Sequence, residues 1–215
     1  MPKQKLIVFD IDGTLYRSDD YERELHKEIV ELLAEKLGCS TEEVKAKLRA
    51  LRKETPSISW CLIKLGINLK EFYEELARRA NPSKYIREAK DVKALLGKLK
   101  EAGFKLAAHT NSGRALALKV LGALGINPSM FDIMVTSDDA EPKPSPDGYL
   151  KILGLAGITA EEAVYVGDRY DVDLKPAKKL GIRTVIVGKG ITPKDVDFKV
   201  ENILEIEDLF LKTQG

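Results

Sequence analysis

Four short polar clusters in this 215-residue chain carry residue types that can do chemistry, and the runs before them are apolar. The first is Asp10-Ile11-Asp12-Gly13-Thr14, directly after Leu6-Ile7-Val8-Phe9. Two carboxylates two residues apart at the tip of a buried strand project near one another, and Gly13 lets the chain turn sharply. A carboxylate can act as a nucleophile towards phosphorus when a metal neutralises the repulsion between anions. A second carboxyl nearby can protonate a leaving oxygen and later deprotonate water. Asp-Gly also serves plain turns, so this pair alone does not decide the chemistry.

Thr110-Asn111-Ser112-Gly113 stands between an apolar run and a helical pattern. Its hydroxyls and backbone N–H groups suit a phosphate oxygen at a helix N-terminus, and Asn or Ser there equally suits an ordinary helix cap. In Glu141-Pro142-Lys143-Pro144-Ser145-Pro146 three prolines stiffen the loop around one lysine,. An ammonium held that way can bind a transferring phosphoryl group and the nucleophilic carboxylate. The same stretch reads as a rigid turn before a helix capped by Ser145 and begun by Pro146. Gly167-Asp168-Arg169-Tyr170-Asp171-Val172-Asp173 gathers carboxylates suited to a hard cation such as Mg2+,.

The elements that must position these clusters follow from hydrophobic pattern. Short apolar runs at 6–9, 106–108, 133–135, 164–166 and 184–187 predict strands buried on both faces,. Helical patterns fall between them, at 91–102, 113–124, 146–153 and 176–180, with Gly103, Gly125, Gly154 and Gly181 as their stops,. Alternating strands and helices predict a mostly parallel sheet covered on both faces, with ligands outside the carboxyl ends of its strands. Residues 17–87 break the rhythm. They read as four helices, at 21–37, after Ser40 or Thr41, at 58–65 and at 69–80, with Asp19 and Asp20 at the N-terminus of the first,.

In this order and on these elements, the four clusters resemble the haloacid dehalogenase-like hydrolase superfamily. The resemblance covers residues 1–15 and about 88–190, and the helical insert lies where that superfamily places a C1 cap. It implies an α/β fold: a Rossmann-like parallel sheet core, residues 1–16 and 88–215, with an inserted all-helical cap domain, 17–87. It implies Asp10 as nucleophile, Asp12 as general acid/base, Thr110 as the phosphate-binding hydroxyl and Lys143 as the lysine. Asn111 and Ser112 fall to substrate binding. Asp10, Asp12, Asp168 and Asp173 fall to the Mg2+ site, with Asp12 contributing its backbone carbonyl. Because the superfamily's dehalogenases lack the second aspartate, Asp12 points to phosphoryl transfer. The expected activity is hydrolysis of a small phosphate monoester through an aspartyl-phosphate. A phosphosugar mutase of the same superfamily is the alternative, although its Arg-Gly or Lys-Gly cap loop is not found.

Composition fits a small-metabolite enzyme. Basic and acidic residues number 35 and 34, leaving a net charge of +1, which gives no long-range field for nucleic acid or an anionic membrane. No apolar run reaches the length of a signal peptide or a membrane span, so a cytoplasmic protein is expected. Its oligomeric state stays open. Cys39 and Cys61 form no metal or redox motif and read as buried thiols. His26 reads as a solvated charge-face residue and His109 as packing. Trp60, Tyr73 and Tyr85 read as core of the insert, with Trp60 also able to roof a pocket. Arg17, Arg49 and Arg52 are candidates for a substrate's second anionic group.

Overall fold

A computed structural model of the chain describes residues 4–211; the ends of the expected core span, 1–3 and 212–215, lie outside the described residues. The first half runs β1 (Leu6–Phe9), α1 (Asp19–Leu37), α2 (Thr41–Leu51), α3 (Ile58–Lys64), α4 (Leu69–Arg79), α5 (Lys90–Glu101), β2 (Lys105–His109) and α6 (Arg114–Ala123). The second runs β3 (Ile133–Val135), α7 (Asp147–Ala156), β4 (Ala163–Gly167), α8 (Lys175–Lys179), β5 (Arg183–Val187), β6 (Phe198–Val200) and α9 (Ile206–Phe210).

The six strands form one sheet in the order β3-β2-β1-β4-β5-β6, and every pair is parallel. Alternate side chains of a strand point to opposite faces. Ile7, Phe9, Ala108 and Val166 therefore join the apolar faces of α5, α6 and α9, while Leu6, Val8, Ala107 and Tyr165 join those of α7 and α8. Burial on both sides is why these strands read as unbroken apolar runs.

Helices α1–α4 bury a second cluster, including Leu32, Leu33, Val44, Leu48, Leu62, Phe72 and Leu76, together with Leu116 of α6. Ser18 caps α1 by accepting from Tyr21 N at 3.3 Å, and Asp19, Asp20 and Glu22 occupy its first turn, where the helix dipole favours negative charge,. Ser40 and Glu43 close a reciprocal capping box on α2. Cys61 is buried, but Cys39 is only half-buried, at the exposed end of α1; both are free.

Two expectations need correction. Helix α7 does not stop at Gly154. It continues to Ala156 and ends on Gly157 at φ +67°, because burying Leu153 and Ala156 against the sheet outweighs the roughly 1 kcal/mol helix penalty of a glycine,. The sheet also extends past β5, with Val200, Ile203, Ile206 and Phe210 completing one core face. No described helix is long and apolar enough to cross a membrane.

The first turn of α7 passes unusually close to β2. A Cβ added to Gly148 would lie 2.2 Å from His109 Nε2, and the His109 ring is wedged against Tyr149 and Tyr165 with centroids at 4.8 and 5.8 Å. Gly148→Ala should therefore cost about 1–3 kcal/mol of stability through overpacking. The measurement is the urea midpoint, which should fall with the m-value unchanged. An unaltered midpoint would mean that α7 can shift freely.

Candidate active site

Strand order reverses at β1, with β2 on one side and β4 on the other, so the crevice of a doubly wound sheet opens beyond these three carboxyl ends,. Asp10, Thr110 and Asp168 are the residues immediately beyond those ends. Asp10 N still donates to Val166 O at 2.9 Å, and Thr110 N to Val135 O at 3.1 Å, so both are held by the sheet itself. Gly13 makes the turn that follows, at φ +88°, and a Cβ there would strike Asp168 Oδ2 at 2.4 Å. Only glycine satisfies both conditions.

Lys143 reaches the same point from the loop before α7. Its side chain is fully buried, with Nζ 2.6 Å from Asp10 Oδ1 and 2.8 Å from Asp173 Oδ1. Nζ also donates to His109 O at 3.0 Å and Tyr165 Oη at 3.2 Å. Lysine has only donors, so Tyr165 accepts from it and its own O–H is left to donate to His109 Nδ1, 3.2 Å away,. Burial and the neighbouring Lys143 charge hold His109 well below the usual histidine range, which keeps it neutral for that role. Tyr149 Oη donates to Val172 O and Asp173 O at 3.0 and 2.9 Å, pinning the acidic loop from below. His109 is thus buried packing as expected, and with Tyr149 and Tyr165 it forms a polar nest under the lysine.

Asp173 is brought inward by a π-helical turn over Tyr170–Leu174,. Its Oδ2 accepts from Arg169 N at 3.1 Å. Its Oδ1 faces Lys143 as an ion pair but off the line of a hydrogen bond. A Cβ on Gly167 would press on Asp173 Cβ at 2.8 Å, so the close approach needs that glycine.

Carboxylate oxygens of Asp10, Asp168 and Asp173 all lie within 4.8 Å of one another. Burial, aided by the Asp173 and Asp12 charges and opposed by Lys143, raises Asp10 to about 7. Burial and Asp173 raise Asp168 to about 6. For Lys143 burial acts downward, but Asp10 and Asp173 outweigh it and keep the ammonium charged. Asp168 Oδ1 is buried without a hydrogen-bond partner. Convergent carboxyl oxygens that crowd one another enough to retain protons, one of them with no hydrogen-bond partner, fit a hard divalent cation that would replace those protons,.

Asp12 is exposed at the mouth, and its side chain lies outside that cluster. It accepts from Tyr16 Oη at 2.6 Å, and from Thr110 Oγ1 and Ser112 Oγ at 3.4 Å each. The first turn of α6 is capped from elsewhere: Asp138 Oδ2 accepts from Arg114 N at 3.0 Å. Thr110 and Ser112 are thereby released from capping and line the pocket. Asn111 also lines it, but its side-chain amide is engaged with Lys143, accepting from Lys143 N at 2.7 Å and donating to Lys143 O at 2.9 Å.

The pocket over these groups encloses about 290 Å3. Tyr16, Arg169 and, from residues 17–87, Arg17, Ser18, Tyr21, Glu22, Leu25, Ser57, Ile58, Ser59 and Tyr73 complete its wall. Of the three arginines considered from sequence, only Arg17 lines it. Trp60 does not roof it; its indole Nε1 donates to Pro142 O and Lys143 O, 3.2 Å from each. Sequence reading missed Arg169 and Tyr16, although both adjoin the acidic clusters, and missed Tyr165, whose phenol inside a doubly buried strand was itself a signal.

Residues 7–187 match the family model described as haloacid dehalogenase-like hydrolase. The chain is 28% identical, over 95% of its length and 96% of the relative, to glyceraldehyde 3-phosphate phosphatase of Methanopyrus kandleri. It is 33% identical, over 85% of its length and 84% of the relative, to phosphoglycolate phosphatase of Aquifex aeolicus. Its structure resembles that of an HAD phosphatase from Thermococcus onnurineus with a TM-score of 0.73 at 28% identity, covering 96% of this chain and 97% of the other. Since the matched span takes in the Asp10, Thr110, Lys143 and Asp168 loops together, the chain belongs to the haloacid dehalogenase-like hydrolase family.

Proposed function

We propose that this protein is a cytoplasmic, Mg2+-dependent phosphatase that hydrolyses a small phosphate monoester through an aspartyl-phosphate on Asp10. It is a phosphoric monoester hydrolase, like the phosphatases it resembles along most of its length. The observation that carries the reading is the state of Asp10. Its carboxylate is buried at the pocket floor, held by Lys143 through Oδ1 and by the Thr14 hydroxyl, at 3.3 Å, through Oδ2. Such fixation presents an oxygen to a phosphorus atom at little entropic cost.

In the reaction, an Asp10 oxygen bonds to phosphorus as the ester oxygen leaves with a proton from Asp12. Water then attacks the acyl-phosphate, Asp12 takes its proton, and phosphate departs to regenerate Asp10. Lys143, Thr110 and Ser112 hold the phosphoryl oxygens, and Asn111 steadies Lys143. Asp10, Asp168, Asp173 and the Asp12 carbonyl would hold Mg2+, which when bound offsets the repulsion between carboxylate and phosphate. Residues 17–87 serve as a C1-type helical cap on a core of 1–16 and 88–215. Their position between β1 and α5, their own apolar cluster and their share of the pocket wall support that division. The pocket's size suits a small metabolite, and the names of the relatives point the same way.

The direct test is phosphate release from p-nitrophenyl phosphate with Mg2+ and with excess EDTA, followed by a panel of phosphorylated metabolites. Full activity in EDTA, or none with Mg2+, would refute the reading. Asp10→Asn should leave the fold intact and lower kcat by at least about a thousandfold, since an amide cannot form the acyl-phosphate. Asp12→Asn should lose more activity with an alkoxide leaving group than with p-nitrophenolate, and should accumulate phosphoenzyme with the latter. Rapid-quench labelling reads this; equal fractional losses and no phosphoenzyme would remove Asp12 from proton transfer.

The raised carboxyls also give a signed pH dependence. In the metal-free protein Asp10 and Asp168 hold protons that the unfolded chain has already released. Their contribution to stability is therefore full below the ordinary carboxylate value near 4 and is lost as pH rises through about 6 and 7,. Mg2+ competes with those protons. It should raise the melting temperature more at pH 8 than at pH 5, and an equal gain at both would count against these carboxyls as its ligands.

A further inference from the structure

The hydrogen bonds that residues 57–60 make outside their own helical segment go to two loops of the pocket floor. Ser57 Oγ accepts from Asn111 Nδ2 at 3.3 Å, and Ser59 Oγ donates to Asn111 O at 3.0 Å. The Ser59 hydroxyl in turn accepts from Tyr73 Oη at 2.8 Å, which fixes it from α4. Trp60 Nε1 lies between Pro142 O and Lys143 O, 3.2 Å from each. One residue further on, Cys61 and Leu62 are buried in the apolar cluster of α1–α4. The N-terminal end of α3 is thus anchored on one side in the helical segment and bonded on the other to the backbone that carries Lys143.

That backbone has few other ties. The Lys143 amide is bracketed by the Asn111 side chain, N–H on one oxygen and C=O on the amide nitrogen, with the Trp60 indole as the second donor to the same carbonyl. A lysine stem transmits any tilt of its peptide to the ammonium, and Nζ must stay within 2.6 Å of Asp10 Oδ1 and 2.8 Å of Asp173 Oδ1. Displacements of about 1 Å at such a site can cost a hundredfold in rate. Trp60 itself is not among the residues that line the pocket, so its indole does not meet substrate directly.

We propose that Trp60 is a positioning residue: its indole N–H, with Ser57 and Ser59, clasps the helical segment to the Lys143 and Asn111 loops, so that docking of α3 sets Lys143 on Asp10. The inference rests on the phosphatase reading given above. It makes the seating of the helical segment a condition for an aligned floor as well as for a closed roof. Substrate would be met by a competent Lys143–Asp10 pair only while the clasp is made.

Trp60 is the only tryptophan in the sequence, so one indole resonance reports on it alone. In the wild type, with Mg2+ and beryllofluoride present, the 15N-labelled indole proton should exchange at least about a hundredfold more slowly than free tryptophan. Trp60→Phe keeps an aromatic ring and removes the donor. It should melt within about 3 °C of wild type, yet show a kcat for p-nitrophenyl phosphate lowered about tenfold or more with KM changed less than about threefold. A residue that merely supported the fold would lower the melting temperature and leave the kcat of the folded fraction intact. An active wild type whose Trp60→Phe variant keeps kcat within about twofold overturns the inference alone. So does an unprotected wild-type indole, which decides the matter even if the variant fails to fold. A wild type that releases no phosphate with Mg2+ overturns the phosphatase reading and the inference together.

Discussion

A fully buried ammonium between two buried carboxylates governs this structure. Taking one charge out of water costs several kcal/mol, and an unpaired one is tolerated only by losing its charge. Lys143 escapes that fate through Asp10 and Asp173, and it can meet both only if three segments far apart in sequence arrive together. Every close approach around it serves this end. Gly148 lets His109 lie under α7, Gly167 admits Asp173, and Gly13 leaves room for Asp168. The pairing is also incomplete. Three clustered carboxylates and one ammonium carry a formal charge of −2 when ionised, so the floor is either partly protonated or completed by a divalent cation. The raised Asp10 and Asp168 are the first outcome; cation binding is the second.

The parallel sheet makes this convergence possible. All six strands end on one side, so residues 10, 110 and 168 become neighbours although about 160 positions separate the first from the last. A doubly buried strand takes few polar groups along its length, and those it has here, His109 and Tyr165, lie beneath the site, so the chemistry collects just past its tip,. Helix capping could have consumed the Thr110–Ser112 hydroxyls. Asp138 supplies the cap instead, reaching in from the loop after β3. The helix end is satisfied by a residue outside the pocket, and the Thr110 and Ser112 hydroxyls turn to Asp12 in the pocket instead.

Much of this was readable in sequence because it is local. Four consecutive apolar residues before Asp10 define a buried strand without reference to anything else, and the four clusters announce themselves by residue type. What was not readable depends on direction or on distant partners. Gly154 looked like a stop because glycine often is one; that α7 runs on to Gly157 depends on what Leu153 and Ala156 find on the sheet. Phe198–Val200 is too short, with two exposed residues, to carry a strand signal of its own. Asn111 read as a ligand for phosphate, whereas its amide is occupied by the Lys143 backbone 32 positions away. Trp60 read as cap core or pocket roof, and no local pattern could have aimed its N–H at residues 142 and 143.

The two sides of the pocket are built from different physics. The floor is buried, charged and braced by glycines too tight to accept a methyl group, so a Cβ added at one of them costs folding as well as chemistry. The helical segment meets the Asn111 and Lys143 loops through hydroxyls and an indole N–H. Bonds of that kind exchange with water at a net cost of about 0.5–1.5 kcal/mol each, far less than exposing an apolar contact of similar extent. Apolar contact between the helical segment and the rest is made where α4 lies against α6, with Tyr73 too close to Gly113 for any Cβ, and where Tyr21 and Leu25 of α1 pack on the core. The hydrogen bonds over the site could be broken and remade at modest cost if the helical segment moved, while its apolar contacts would hold it to the core. A pocket that must both exclude water and admit a charged ester is served by contacts of that exchangeable kind.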